Sequence, residues 1–283
     1  MLTEPASVDA TNRDQERAWD GDEGSYWAAH HDRFEASLAR YQPAFLKAAA
    51  IKSDDRVLDI GCGTGVSTRA AALAASAGQA LGVDLSHRMI DVARRLAHEA
   101  GVDNAVFLRA DAQIHLFDEE AFDVVISRTG AMFFGRPDLA FANLRRSLTP
   151  GGRLVLLTWQ PFSRQEWISA LARALTGRTP SAPPPDGPGP FSLSDPDRVR
   201  ALLQAAGFTN VELTAATETI TYGRTVEEAH DFLLGLLGWM LEGQDRRRRE
   251  ESVEALRTLL DTHHTEDGVR FKSATWLVTA RRA

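Results

Sequence analysis

Val57-Leu58-Asp59-Ile60-Gly61-Cys62-Gly63-Thr64-Gly65 decides the fold. Its first half, with Arg56, is a short apolar run ending at glycines, the pattern of a strand buried in a parallel sheet. Its second half is a turn, because glycine reaches positive φ and lets a ligand approach the backbone. Residues 66–77 are alanine-rich and read as a helix. The N–H groups and dipole at that helix's start face whatever lies over the turn. Strand, glycine turn and helix in that order point to a nucleotide-like cofactor.

Working outward, residues 79–83 predict a second strand and 86–100 a helix, capped by Ser86 and stopped by Gly101. Residues 105–108 and 122–127 predict two more strands. Residues 137–148 predict a helix opened by Pro137 and closed by Pro150-Gly151-Gly152, and 153–159 a fifth strand. Strands alternating with helices imply a parallel sheet with helices on both faces. Asp84 stands 19 residues after Gly65, where a carboxylate can accept from both hydroxyls of a ribose. A dinucleotide turn has glycine at its sixth position. Here that position is Val66, and the spacing is G-x-G-x-G with Asp59 two residues ahead. The departure counts against a nicotinamide-dependent oxidoreductase, the first rival reading.

These residues resemble the first motif of the class I S-adenosylmethionine-dependent methyltransferases. Gly82-Val83-Asp84-Leu85-Ser86 with Met89 is similar to the second, and Asp111-Ala112-Gln113 to the third. Phe122-Asp123-Val124-Val125-Ile126-Ser127 is similar to the fourth. Leu148-Thr149-Pro150-Gly151-Gly152-Arg153-Leu154 is similar to the turn into the fifth strand. The likeness covers residues 52–159, then more thinly 195–216 and 273–281. Within the family it is strongest to bacterial small-molecule enzymes of the ubiquinone/menaquinone-methyltransferase type. Long insertions set the chain apart from those quinone enzymes, so their substrate does not transfer.

The resemblance implies an α/β, Rossmann-like sheet of seven mostly parallel strands, the last antiparallel. It implies S-adenosylmethionine as donor and S-adenosylhomocysteine as product. Gly61, Gly63 and Gly65 are expected to approach the methionine and ribose parts, with Cys62 a small filler. Asp59 is expected at the methionine ammonium, Asp84 at the ribose, and Leu85 and Met89 beside adenine. Asp111 is expected to accept from the adenine amino group, with the Ala112 or Gln113 backbone on a ring nitrogen. Ser127 and Arg128 are expected where the methyl group faces its acceptor, and Arg128 also as an orienter of an anionic acceptor or of the cofactor edge.

The chain has 283 residues, a net charge of −7 and one cysteine. The cysteine count excludes an intrachain disulfide and a cysteine-rich zinc site. The acidic balance disfavours a nucleic-acid partner. No basic, apolar start is seen and no apolar run reaches the ~20 residues of a spanning helix, so a cytoplasmic protein without membrane partner is expected. No metal is expected: His263-His264 is a poor chelating pair, since neighbours on a helix diverge by ~100°. A monomer or homodimer acting on a small molecule of secondary metabolism is the resulting expectation. A non-catalytic cofactor-binding regulatory protein is the second rival.

All six tryptophans and all three tyrosines lie outside residues 42–158. That contrast divides the chain into an N-terminal helical arm (1–51), a cofactor-binding core (52–159, 195–223 and 269–283), and two insertions (160–194 and 224–268). The arm's polar start reads as mobile. The first insertion holds six prolines between Pro180 and Pro190, a semi-rigid surface crossing. Both insertions leave strand ends on the ligand side of such a sheet, so with the arm they form a cap. Trp19, Tyr26, Phe133, Trp159, Trp167 and Trp239 are candidate substrate contacts, and Trp27 a contact to the cofactor. His30 and His230 are candidate bases for an acceptor that must lose a proton. Arg246-Arg247-Arg248-Arg249 lies among acidic residues and reads as a solvated helix held by i,i+4 pairs.

Overall fold

Four short helices precede the sheet in the computed structural model, which describes residues 7–181 and 187–283. They are α1 (Arg13–Trp19), α2 (Asp22–Ala29), α3 (His31–Leu38) and α4 (Gln42–Ala49). Phe34, Leu38, Phe45 and Ala49 recur at helical spacing and are buried, which docks the arm on the core. Pro43 sits in the first turn of α4, where its missing N–H costs nothing.

The core follows as β1 (Arg56–Ile60), α5 (Val66–Ala74), β2 (Gln79–Asp84), α6 (His87–Glu99), β3 (Ala105–Arg109), β4 (Phe122–Arg128), α7 (Pro137–Ser147) and β5 (Leu148–Trp159). The Ser86 side chain caps α6 by accepting from the Met89 N–H. The first insertion holds α8 (Glu166–Thr176), and the chain re-enters through α9 (Pro196–Ala205) and β6 (Phe208–Gly223). The Asp195 side chain caps α9 through the Asp197 and Arg198 N–H groups. The second insertion holds α10 (Val226–Leu237) and α11 (Arg246–Thr262), and the chain ends in β7 (His264–Thr265) and β8 (Gly268–Arg282).

The sheet order is β3-β2-β1-β4-β5-β8-β6. The five strands from β3 to β5 are parallel, and β8 runs antiparallel between β5 and β6. The expected seven strands become eight, because β7 pairs with β8 through Thr265↔Gly268. Two residues carry no periodicity, so this strand has no signature in the sequence. The last strand starts at Gly268, and Val269 pairs with Gly223 at the far end of β6.

β5 and β6 point the same way, so both insertions emerge on the side of the glycine turn. There α8 packs on α11, and α10 packs on β6, α11 and the arm helix α2. The arginine run stays in solvent, with Arg246–Glu250 at 2.8 Å and Arg247–Glu251 at 2.9 Å, the pairing its spacing predicted. Part of the expected proline crossing, residues 182–186, lies outside the described residues. Beyond it, the Gly189 N–H and the Ser192 hydroxyl both donate to the Met132 carbonyl, tying the re-entry to the turn after β4. Among the described residues no helix is long and apolar enough to cross a membrane.

Residues 1–6 of the arm's polar start lie outside the described residues. Asp9 to Asn12 is not loose: Asn12 is 2% exposed and bonded to residues a hundred positions away.

Candidate active site

The turn after β1 meets the turn after β4 at Gly61 and Gly130. Gly61 has φ 61°, and a Cβ there would stand 2.8 Å from the Gly130 Cα. Only a glycine pair permits this approach. The Ser127 hydroxyl locks it, donating to the Ile60 carbonyl at 2.6 Å and accepting from the Ala131 N–H at 2.9 Å. The Ser127 hydroxyl is thereby held within the protein's own backbone at the tip of β4. It is buried and fixes that tip.

Asp84 ends β2. Its Oδ2 accepts from the Gly63 N–H at 2.8 Å and its Oδ1 from the Ser86 N–H at 2.9 Å. Burial pushes its carboxyl pKa up, and those N–H bonds pull against the shift. An ionised carboxylate has about four acceptor sites, so about two remain for the hydroxyls of a ribose.

Asp59 is 1% exposed and its Oδ2 accepts the Thr68 hydroxyl at 2.7 Å. Burial raises its pKa to about 7, against the opposing pull of Thr68 and Arg128. The guanidinium of half-buried Arg128, the last residue of β4, makes no hydrogen bond or ion pair to a described residue. Burial lowers its pKa while the charges of Asp59 and Glu35 raise it. Thr129 follows at φ 65°, a strained value for a β-branched residue. From the arm helix α3, Glu35 reaches the turn, accepting from the Thr64 hydroxyl at 2.9 Å and pairing with Arg69 at 3.4 Å. Two carboxylates and two guanidiniums thus gather at one end of the glycine turn.

Cys62 is buried, and its sulfur packs on Gly82, where a Cβ would come within 2.9 Å of it. Burial, then Asp84 and Asp59, push the thiol pKa well up, which fits a filler and not a nucleophile. Met89 is buried against the turn, its sulfur 3.7 Å from where a Gly63 Cβ would be. The Leu85 carbonyl is taken by Arg109 at 3.1 Å.

At the tip of β3, Asp111 is fully engaged. It accepts the Asn12 amide on both oxygens, at 2.9 and 3.0 Å, with the Asp9 and Gln113 N–H groups at 3.0 and 2.9 Å. The Gln113 N–H is therefore not free for a ring nitrogen, and the Gln113 amide bonds Thr11 and the Arg136 N–H. Ala112, also buried, is the remaining backbone donor of the motif.

The candidate aromatic residues fall into separate groups. Trp19 meets Phe133 at 5.2 Å and Trp27 at 5.5 Å, and Trp27 stacks on Phe34 at 3.5 Å. Phe34 continues to Phe232 of α10 at 4.9 Å. The Tyr26 hydroxyl donates to the Phe232 carbonyl, and its ring stacks on His30 at 4.1 Å. This row runs from the tip of β4 through the arm to the second insertion. Trp159 and Trp167, 5.5 Å apart, form another group with Tyr41. Trp239 joins neither, because it lies 62% exposed on the turn Gly238–Leu241. His30 Nδ1 lies 2.9 Å from the Tyr26 carbonyl, so the neutral ring holds its proton there and keeps Nε2 as acceptor. His230 lies 3.6 Å from the exposed Asp231 carboxylate. Sequence reading missed Asn12, Glu35, Thr68 and Arg69, which carry no local motif. Among the described residues no group of three or more His, Cys, Asp or Glu side chains could hold a metal ion.

Residues 57–152 match the model of a methyltransferase domain. The chain is 32% identical over 182 residues to a demethylmenaquinone methyltransferase of Clavibacter sepedonicus, covering 61% of this chain and 73% of that one. It is 29% identical to a malonyl-[acyl-carrier protein] O-methyltransferase of Brevibacillus brevis, over 75% of this chain and 76% of that one. Its fold superposes on phosphoethanolamine N-methyltransferase 2 of Haemonchus contortus, solved with S-adenosylmethionine, at a TM-score of 0.59 and 20% identity, covering 98% of this chain and 60% of that one. The fold and glycine turn are those of a Rossmann-like methyltransferase. The chain belongs to the class I S-adenosylmethionine-dependent methyltransferases and is an enzyme of that family. Its methyl donor is S-adenosylmethionine.

Proposed function

We propose that the protein methylates an oxygen, nitrogen or carbon of a small apolar or aromatic molecule held under the arm, as a cytoplasmic enzyme of secondary metabolism. The observation that carries this reading is the aromatic row from Phe133 at the tip of β4 through Trp19 and Trp27 to Phe34 and Phe232. Such faces suit a planar acceptor.

Bound S-adenosylmethionine supplies a methyl group already activated on a sulfonium. The protein's task is alignment and exclusion of water. Gly61, Gly63 and Gly65 admit the cofactor to the backbone, and Asp84 takes its ribose through its two remaining acceptor sites. Asp59 holds the methionine ammonium, and the otherwise unpaired Arg128 holds the carboxylate beside it. Met89 and Leu85 flank adenine, and the Ala112 N–H reads its ring. Asp111 accepts the adenine amino group once its own partners yield. Where the acceptor must lose a proton, His30 Nε2 is the base, since its tautomer is already fixed; His230, beside an exposed carboxylate, is the weaker candidate. The core, arm and two insertions act as cofactor holder and acceptor cap.

Radiolabelled methyl transfer to a panel of planar phenols, aromatic carbons and aliphatic amines tests the acceptor class. Phe133→Ala is expected to raise KM for a planar acceptor about tenfold while leaving S-adenosylhomocysteine affinity within about twofold, the loss of one aromatic contact. Transfer only to aliphatic amines, or an unchanged KM, contradicts the reading.

A further inference from the structure

Among the described residues of the arm's polar start only Asn12 is buried, and it is buried at an odd place. Its amide nitrogen spans both oxygens of Asp111, while its own oxygen accepts from the Gly135 N–H at 2.7 Å. It therefore bridges the tip of β3 to the turn after β4. The neighbouring chain is fitted to it. Thr11 lies on Gly135 so closely that a Cβ there would stand 2.5 Å from the Thr11 carbonyl oxygen. Asp9 supplies a further N–H to Asp111, and its carboxylate in turn accepts the Thr11 N–H and hydroxyl. Two turns of helix later, Arg109 pairs with Glu16 and Asp20, each at 3.1 Å, and Asp20 accepts the His87 N–H at 2.8 Å. The segment from Asp9 to Asp20 is thus latched across the ends of β2 and β3.

Three donor nitrogens make four contacts to one carboxylate with about four acceptor sites, so Asp111 has none left over. A primary amide presented to a carboxylate offers the same N–H donors as the exocyclic amino group of adenine. We propose that the Asn12 carboxamide is an internal competitor for Asp111: it occupies the adenine-recognition carboxylate when the arm is latched, and the cofactor binds by displacing it. Asn12 is then the residue that sets cofactor affinity, and Trp19, seven residues further along the same arm, stays on Phe133 and is placed to report occupancy. This rests on the reading above that Asp111 accepts the adenine amino group.

The opposite arrangement, in which Asn12 helps hold a bound cofactor, predicts the opposite sign. Calorimetric titration with S-adenosylhomocysteine separates them. Asn12→Ala removes the competitor and is expected to tighten binding about tenfold, the scale of one displaced hydrogen bond to a charged group. Asn12→Asp sets carboxylate against carboxylate and is expected to tighten it as well. Unchanged or weaker binding in Asn12→Ala overturns the proposal, whatever Asn12→Asp does. Stopped-flow tryptophan fluorescence of full-length protein gives an independent check, with association expected to be faster in both variants. The underlying reading is tested in the Asn12→Ala background, where nothing competes. There Asp111→Asn is expected to weaken binding about tenfold. No effect in that background would mean that Asp111 is not the adenine acceptor, a failure distinct from that of Asn12.

Discussion

Asp59 and Asp84 are two carboxylates in one site that the fold treats differently. Asp84 keeps two backbone donors and room for two more, whereas Asp59 is enclosed with one hydroxyl partner. Asp59 therefore carries a pH signature. Its proton is held up to about pH 7 in the folded protein but only to about 3.9 in an unfolded chain. Between those values the folded state binds more protons, so this group's contribution to stability falls as pH rises from about 4 to about 7, then levels. The melting temperature of Asp59→Asn, measured relative to wild type, is expected to climb with pH across that window. A flat or falling difference contradicts the assignment. Both aspartates were legible in the sequence because they bracket glycines at strand ends. Thr68, Glu35 and Asn12 were not: each acts only through a partner 9, 29 or 99 residues away.

Between elements, the governing contact is the crossing of the two turns at Gly61 and Gly130, which sets where the tip of β4 stands relative to the glycine turn. A Cβ on Gly130 would meet the Ile60 carbonyl oxygen at 2.7 Å and the Gly61 Cα at 2.8 Å, both backbone atoms that cannot rotate away. Gly130→Ala is expected to lower stability by about 1–3 kcal/mol, the range for overpacking, and to weaken S-adenosylhomocysteine binding with it. Thermal melts and titrations of one preparation check both. Loss of stability with full affinity would mean that the turns are not coupled. The elements themselves were readable wherever a cap or proline punctuates the chain, as at Ser86 and Pro137. What escaped was pairing without local pattern: the two-residue β7.

Across the whole molecule, the helices of the arm and of the two insertions pack around one eight-stranded sheet. The sequence marked the boundary between the two by where tryptophan and tyrosine are absent, but not which aromatics meet. Trp19, Trp27 and Phe133 join in one row, Trp159 and Trp167 in another, and Trp239 faces solvent. Composition locates such residues in the arm and insertions; only tertiary packing sorts them. The account's central claim is that the glycine turn and Asp84 together hold the adenosyl cofactor. Calorimetric titration of wild type and Asp84→Ala with S-adenosylhomocysteine tests it most directly. Saturable binding by wild type and about 10–100-fold weaker binding by Asp84→Ala is the predicted result, the loss of charge-assisted hydrogen bonds to the ribose. Equal dissociation constants for the two proteins, or binding of NADH in place of S-adenosylhomocysteine, would contradict it.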